Sequence, residues 1–286
     1  MSREAREILA ASGAVELHLE SFIWTRVLGY DLATRHGRGP LGARLMCQLD
    51  MPRLLDSGLT SSVWSIATNP LRPRGRRTAA LLENIRRLVT LIEDQDGFAV
   101  VRDGDEHDRA VENGLHACWL AIQGGNALDR VEDLDLVPED LVRRITLVHM
   151  SDSHVGGSSN PLGGLGRGRG LTGFGRDLVR AMDERGILVD LAHVSPEGFR
   201  DALEVHDPSR PVIVSHTGVR GVHDLWRNLS DDQIRAVADT GGVIGIIAHA
   251  YALRPAWRRV PVSAMVDHME HVIRLVDDEH VTLGYD

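Results

Sequence analysis

Fourteen histidines occur in this chain of 286 residues, and neutral imidazole is both the commonest side-chain metal ligand and the usual proton shuttle near pH 7. Their placement says more than their number. His18 and Glu20 form a His-x-Glu step at the end of an apolar run, Gln123 closes another, and His149, His193, His216 and His249 each follow one more. Asp286 closes the last run. A His-x-Glu pair with two further histidines at run ends suits Zn²⁺, which takes nitrogen and carboxylate ligands. Any one of these histidines read alone is more simply a hydrogen-bonded core residue. The joint placement of His18, His193 and His216 is what points to a metal centre. His249 reads equally well as a pocket residue or as a cap on its strand. His36, His107, His206, His223, His268, His271 and His280 fall in polar or helical contexts and read as surface or packing residues.

Such run ends converge only if the runs are neighbouring parallel strands. Apolar or β-branched runs at 15–17, 59–67, 116–122, 145–148, 187–191, 211–215, 243–248 and 281–284 are mostly separated by stretches of helical period, and 98–101 adds a shorter one. The helix expected over 78–93 has Leu81, Leu82, Ile85, Leu88, Val89 and Ile92 on the i, i+3/i+4, i+7 rule. Further helices are expected over 174–185 with Gly186 as C-terminal cap, over 230–239 with Ser230 and Gln233 as a capping box, and over 262–276. Eight principal strands alternating with helices predict a (β/α)₈ TIM barrel, typically about 250 residues long. An open doubly wound sheet would need a glycine-rich fingerprint after its first strand, where this chain has HLESFIW. The glycine-rich stretch 163–170 lacks both a preceding strand and a following Lys-Ser/Thr, so it reads as a loop. No repeat or linker divides the chain, and one barrel domain is expected over 1–286, with its chemistry at the C-terminal ends of the strands.

Composition removes several other classes. The net charge is −9 with both signs interspersed, which argues against a nucleic-acid partner. No stretch reaches the roughly 18 apolar residues of a membrane span, and the charged N-terminus has no signal-like apolar core, so a cytoplasmic protein is expected. Cys47 and Cys118 both lie in apolar segments and form no disulfide framework. All 32 basic residues are Arg, which excludes a Schiff-base lysine and a P-loop lysine.

The stretches ITLVHMS at 145–151, GLTGFGRDLVRAMDERGILVDLAHVS at 170–195, IVSHTGVR at 213–220 and WRNLSDD at 226–232 resemble the membrane dipeptidase (renal dipeptidase, peptidase M19) family. HLESF at 18–22, AIQGGNAL at 121–128 and LGYD at 283–286 extend the resemblance over nearly the whole chain. It implies a two-zinc barrel hydrolase that cleaves dipeptides and forms a homodimer. By the same resemblance His18 and Glu20 would hold one zinc, His193 and His216 the other, and Gln123 the bridging position. His149 would polarise the substrate, Arg227 would bind its terminal carboxylate, and Asp286 would be the acid/base residue.

The chain departs from that pattern in three residues and at its end. Glu20 stands where the family has Asp, Gln123 where it has the bridging Glu, and Asn126 where it has His. A neutral amide cannot offset the repulsion between two close cations. The last βα unit is expected to be truncated, exposing apolar barrel surface unless a partner chain covers it. The leading expectation is a dipeptidase-like hydrolase with one or two Zn²⁺ acting on small dipeptides. The alternative is a metal-poor, catalytically silent relative that binds a small amino-acid conjugate. A cyclic-amidase relative would want a carboxylated bridging lysine, and this chain has none.

Overall fold

Strand β2 (Ser61–Ala67) is buried at every position, the pattern of a strand covered on both faces of a parallel sheet. The same logic runs through the computed structural model, which describes residues 2–37, 49–138, 140–161, 170–255 and 260–286. Its other strands are β1 (Val15–Leu19), β3 (Phe98–Val100), β4 (His116–Gln123), β5 (Val142–Thr146), β6 (Leu188–Asp190), β7 (Val212–Thr217), β8 (Ile244–Ile246) and β9 (Val281–Leu283). All pairings between them are parallel. β2 pairs with both β1 and β4, and β9 pairs with β1, so eight strands close into a barrel. β3 stays outside the ring: it pairs with residues 116–118 of β4, and β5 takes over from Leu120.

The helices form where the apolar period and the caps agree. Helix α1 is Arg3–Ser12, α2 Phe22–Leu28, α3 Met51–Ser57 and α4 Arg77–Glu93. α4 buries Leu81, Ile85, Leu88 and Ile92. Arg76 cannot cap it, so the Asp129 carboxylate accepts the backbone N–H groups of Gly75 and Arg77 from across the chain. α5 is Gly104–Glu112, α6 Gly173–Glu184, α7 Pro196–Val205 and α8 Asp231–Ala238. Ser195 caps α7 ahead of Pro196, and Ser230 with Gln233 forms the expected capping box of α8. α9 (Ala250–Leu253) and α10 (Ser263–Leu275) complete the set. Most of the buried helix faces and outward strand residues form one large apolar cluster around the barrel, and Ala110 of α5 packs with Val101 and Ala117 in a second, small one.

One strand lies earlier than its sequence suggests. Residues 145–148 read as the run, but the ladder spans Val142–Thr146 and includes two arginines. Arg143 points outward to Asp140, whereas Arg144 points inward and is 2% exposed. The barrel interior is therefore polar: Glu16, His18, Ser65, Gln123, Arg144, Thr146, Asp190 and Ser215 are all buried. No described helix is long and apolar enough to cross a membrane. Cys118 is buried, which pushes its thiol up to about 12. Cys47 and residues 163–169 of the glycine-rich stretch lie outside the described residues.

Candidate metal centre and active site

His216, near the C-terminal end of β7, is oriented by a relay. Its Nδ1 lies 2.8 Å from Ser215 Oγ, which in turn lies 2.6 Å from Asp190 Oδ2. A carboxylate can only accept, so Ser215 gives its proton to Asp190 and its oxygen accepts from Nδ1–H of His216. The neutral ring then presents a bare Nε2. That atom lies 2.8 Å from Nε2 of His193, and a shared proton or a cation relieves two such nitrogens at that distance. His193 follows β6 with φ +65°, a left-handed conformation uncommon for a residue with a side chain. That turn aims its imidazole at His216 rather than along the strand.

His18, on β1, is buried and stacks on His216 with ring centroids 3.8 Å apart. Its Nε2 faces Asp286 Oδ1 at 3.7 Å and Glu20 Oε2 at 3.9 Å. Ligand atoms of His18, His216 and Asp286 all lie within 4.8 Å of one another. The other nitrogen, Nδ1, faces Ser65 Oγ at 3.1 Å and Arg144 Nη2 at 3.2 Å. Arg144 also donates to Ser65 Oγ and pairs with Asp190 at 3.1 Å. Asp286 is tied to this strand through its backbone N–H, which donates to the carbonyl of His18.

Gln123 ends β4, and the two glycines after it have steric reasons. A Cβ at Gly124, where φ is +98°, would meet Asn126 Oδ1 at 2.4 Å, and one at Gly125 would meet the Leu178 side chain at 2.5 Å. Thr146 Oγ1 lies 2.7 Å from the Gln123 amide and 2.6 Å from Asp190 Oδ2. Gln123 Oε1 faces Thr146, and the buried Nε2 has no hydrogen-bond partner. A hydroxyl has one proton, and with Asp190 taking it the two ends of the amide would exchange, Nε2 donating to Thr146 and the oxygen becoming available to a cation as a neutral ligand.

His149 lies three residues beyond β5, with Nε2 3.9 Å from Glu20 Oε2 and its ring edge-on to His193 at 5.0 Å. Arg227 is buried and donates to the carbonyl of His216 at 2.7 Å, while its Nε has no partner. Tyr251 on α9 bears on the Arg227 guanidinium. His249 is exposed at the start of α9, packing on Tyr251 with centroids 4.6 Å apart, and its side chain caps nothing. The structure thus gathers His18, Glu20, His149, His193, His216, Arg227 and Asp286 around one mouth of the barrel, with Gln123 tied beneath it to the Thr146–Asp190 pair. Arg144, Asp190, Thr146, Ser65 and Ser215, which hold these groups, were not among the residues singled out by sequence. The signal for Arg144 is a charge inside an apolar run, at the alternate position that faces the barrel.

Burial dominates the electrostatics. It lowers His149 to about 4, helped by Arg227. His18, His193 and His216 fall well below the usual imidazole range, again by burial first, with Arg144, Arg227 and His18 respectively as the next cause. Burial and the neighbouring Asp286 raise Glu20 to about 8. Asp286, a quarter exposed, is raised by desolvation against the pull of Arg227. In the metal-free protein at neutral pH the histidines are neutral and Glu20 is largely protonated, so the site holds protons that a cation would displace.

Histidines, carboxylates and a buried arginine thus share one mouth of a TIM barrel, and three of them, His18, His216 and Asp286, lie close enough together to hold a metal ion. The chain belongs to the membrane dipeptidase family (peptidase family M19), whose sequence model matches residues 2–286. It is 34% identical over 213 residues to an uncharacterized dipeptidase of Schizosaccharomyces pombe, covering 74% of this chain and 50% of that protein. It is 32% identical over 122 residues to an uncharacterized protein of Klebsiella pneumoniae, covering 42% of this chain and 44% of that protein. The chain therefore spans half or less of the length of these curated relatives. Among solved structures, a dipeptidase described as a family M19 metallo peptidase superposes with a TM-score of 0.80 at 22% identity, covering 96% of this chain and 84% of that one. A metallo peptidase of Rhodobacter sphaeroides, liganded with a phosphinate mimic of the dipeptide L-Ala-D-Ala, superposes with a TM-score of 0.80 at 20% identity, covering 96% and 85%. At these identities the superpositions show the shared barrel fold.

Proposed function

We propose that the chain, read as one barrel domain over 1–286, is a metal-dependent dipeptidase-like hydrolase that cleaves the amide bond of small dipeptides. The observation that carries this reading is the convergence of the His193 and His216 Nε2 atoms, 2.8 Å apart, with His149, Asp286 and Arg227 at one barrel mouth. A divalent ion, Zn²⁺ by ligand type, fits His193 and His216. His18, Glu20 and Gln123 would hold the family's other ion, and there the fit fails: Gln123 brings no charge, and His18 has a guanidinium behind it.

When bound, the metal supplies Lewis acidity, polarising the scissile carbonyl and acidifying a water. The chain's own residues do the rest. Arg227, buried with Nε unpartnered, clamps the substrate's terminal carboxylate. His149, neutral at pH 7, donates its ring N–H to the carbonyl oxygen. Asp286 Oδ1 takes the proton of the attacking water and returns it to the leaving amine.

The test is hydrolysis of a dipeptide panel covering L-L and L-D pairs, followed by amino-acid release, on protein loaded with zinc and on protein stripped by chelator. Release that needs zinc supports the reading. A zinc-loaded protein that cleaves nothing but binds dipeptides in calorimetry establishes instead the catalytically silent relative, the reading that the uncharged Gln123 favours.

A further inference from the structure

We infer that Arg144 is a positioning residue that fixes His18 in the Nε2–H tautomer, so that the N–H points toward Glu20 and Asp286 and the centre holds one metal ion, on His193 and His216. This rests on the metal-centre reading above, not on turnover. A histidine that ligates a metal passes its other N–H to an acceptor, which sets the tautomer. His216 obeys: its Nδ1 meets the Ser215 hydroxyl, whose own proton goes to Asp190. His18 inverts the pattern. Its Nδ1 meets Arg144, a guanidinium with five donors and no acceptor, at 3.2 Å. Ser65 agrees, because a hydroxyl already accepting from Arg144 has its own proton free for Nδ1 at 3.1 Å. With Nδ1 accepting, the ring proton sits on Nε2, the nitrogen turned toward Asp286 and Glu20.

Arg144 cannot simply swing aside. It is buried and paired with Asp190 at 3.1 Å, and separating them would leave two buried charges uncompensated. Asp190 thus governs both histidines in opposite senses: through Ser215 it makes His216 Nδ1 a donor, and through Arg144 it makes His18 Nδ1 an acceptor. A fixed cation behind His18 and an uncharged amide at Gln123 both oppose a second ion there. Proximity of His18, His216 and Asp286 within 4.8 Å does not change this, because a protonated Nε2 is no ligand.

Two measurements test it. Long-range ¹H–¹⁵N correlation on metal-free, ¹⁵N-histidine protein reports which ring nitrogen carries the proton. His18 should show Nε2–H and His216 Nδ1–H. In parallel, zinc titration of stripped protein, with elemental analysis after dialysis, should give one equivalent that is lost in His216→Ala and retained in His18→Ala. Arg144→Met should turn His18 to Nδ1–H and admit a second equivalent, whereas Arg144→Lys should keep the wild-type pattern. Nδ1–H on His18 in the wild type, or two equivalents of which one is lost in His18→Ala, overturns the inference. If Arg144→Met does not fold, the wild-type tautomer decides. Two equivalents with dipeptide turnover would overturn this inference and leave the hydrolase reading standing; one equivalent without turnover would do the reverse.

Discussion

At Gln123 an uncharged amide stands where the resemblance implies a bridging carboxylate, and with Arg144 it sets the charge balance of the proposed centre. Gln123→Glu should tighten zinc at the centre, since a charge-assisted contact is worth about 1.5–3 kcal/mol, or roughly 10- to 150-fold in affinity. Titration calorimetry with unchanged affinity would show that Gln123 does not face the ion. Arg227 makes a separate claim about the ligand. Removing one partner of a buried charge pair costs about 2–5 kcal/mol, or roughly 30- to 4,000-fold, so Arg227→Ala should weaken a dipeptide far more than its C-terminal amide. Equal losses would remove Arg227 from carboxylate binding and leave only its contact with the His216 carbonyl. The strand-end histidines are legible in the sequence only jointly, because several imidazoles at the ends of neighbouring apolar runs converge, whereas one alone reads as a core residue. Arg144 and Asp190 are not: Arg144 reads as the break before the run 145–148 and Asp190 as one residue of the run 187–191, and only the ring of strands brings the two charges together.

Among the elements, β7 carries the centre's most constrained backbone. A Cβ on either Gly245 of β8 or Gly284 after β9 would come within 2.0 Å of the Ser215 carbonyl oxygen, and one on Gly284 within 3.1 Å of His216 Cα. These glycines let the neighbouring backbone lie against the strand that aims Ser215 and His216. Overpacking of this kind costs about 1–3 kcal/mol, so Gly284→Ala should lower the thermal midpoint by roughly 2–12 °C at about 2–4 °C per kcal/mol. It should also weaken zinc binding, because His216 must move. Gly104→Ala at the start of α5, where an added Cβ meets nothing within 4 Å, is the control and should leave zinc binding unchanged and the midpoint unchanged or slightly raised. Equal midpoints for the two variants would mean that β7 yields at no cost. The strands and the α8 capping box are readable from period and cap residues, because both are local. The reach of β5 back to Val142 is not, since only the closed barrel turns Arg143 outward and Arg144 inward. The cap of α4 by Asp129 is likewise invisible to spacing, because it comes from a distant turn.

For the molecule as a whole, burial of so many titratable groups sets the pH range in which the metal-free chain is stable. His116 and His149 are lowered to about 4 by burial from an ordinary 6.5, and burial also holds His18, His193 and His216 well below 6.5. Between those values and 6.5 the unfolded chain binds protons that the folded chain refuses, so stability rises with pH. Glu16 and Glu20 behave oppositely. Burial raises both to about 8 from an ordinary 4.5, so across that window the folded chain holds protons that the unfolded chain has lost, and stability falls as pH rises. Below 6.5 the five histidines outweigh the two glutamates and the net slope is upward. Well above 6.5 the histidines are neutral in both states, and of these groups only the glutamates still act. Urea unfolding of metal-free protein from pH 4.5 to 8.5 should therefore give a maximum near 6.5, with a steeper acid limb. Glu20→Gln removes one of the two late-titrating carboxyls and should flatten the alkaline limb while leaving the acid limb in place. A metal-free chain whose stability climbed steadily to pH 8 would mean that Glu16 and Glu20 are ionised in the fold, and the proton-loaded resting state of the centre would be wrong.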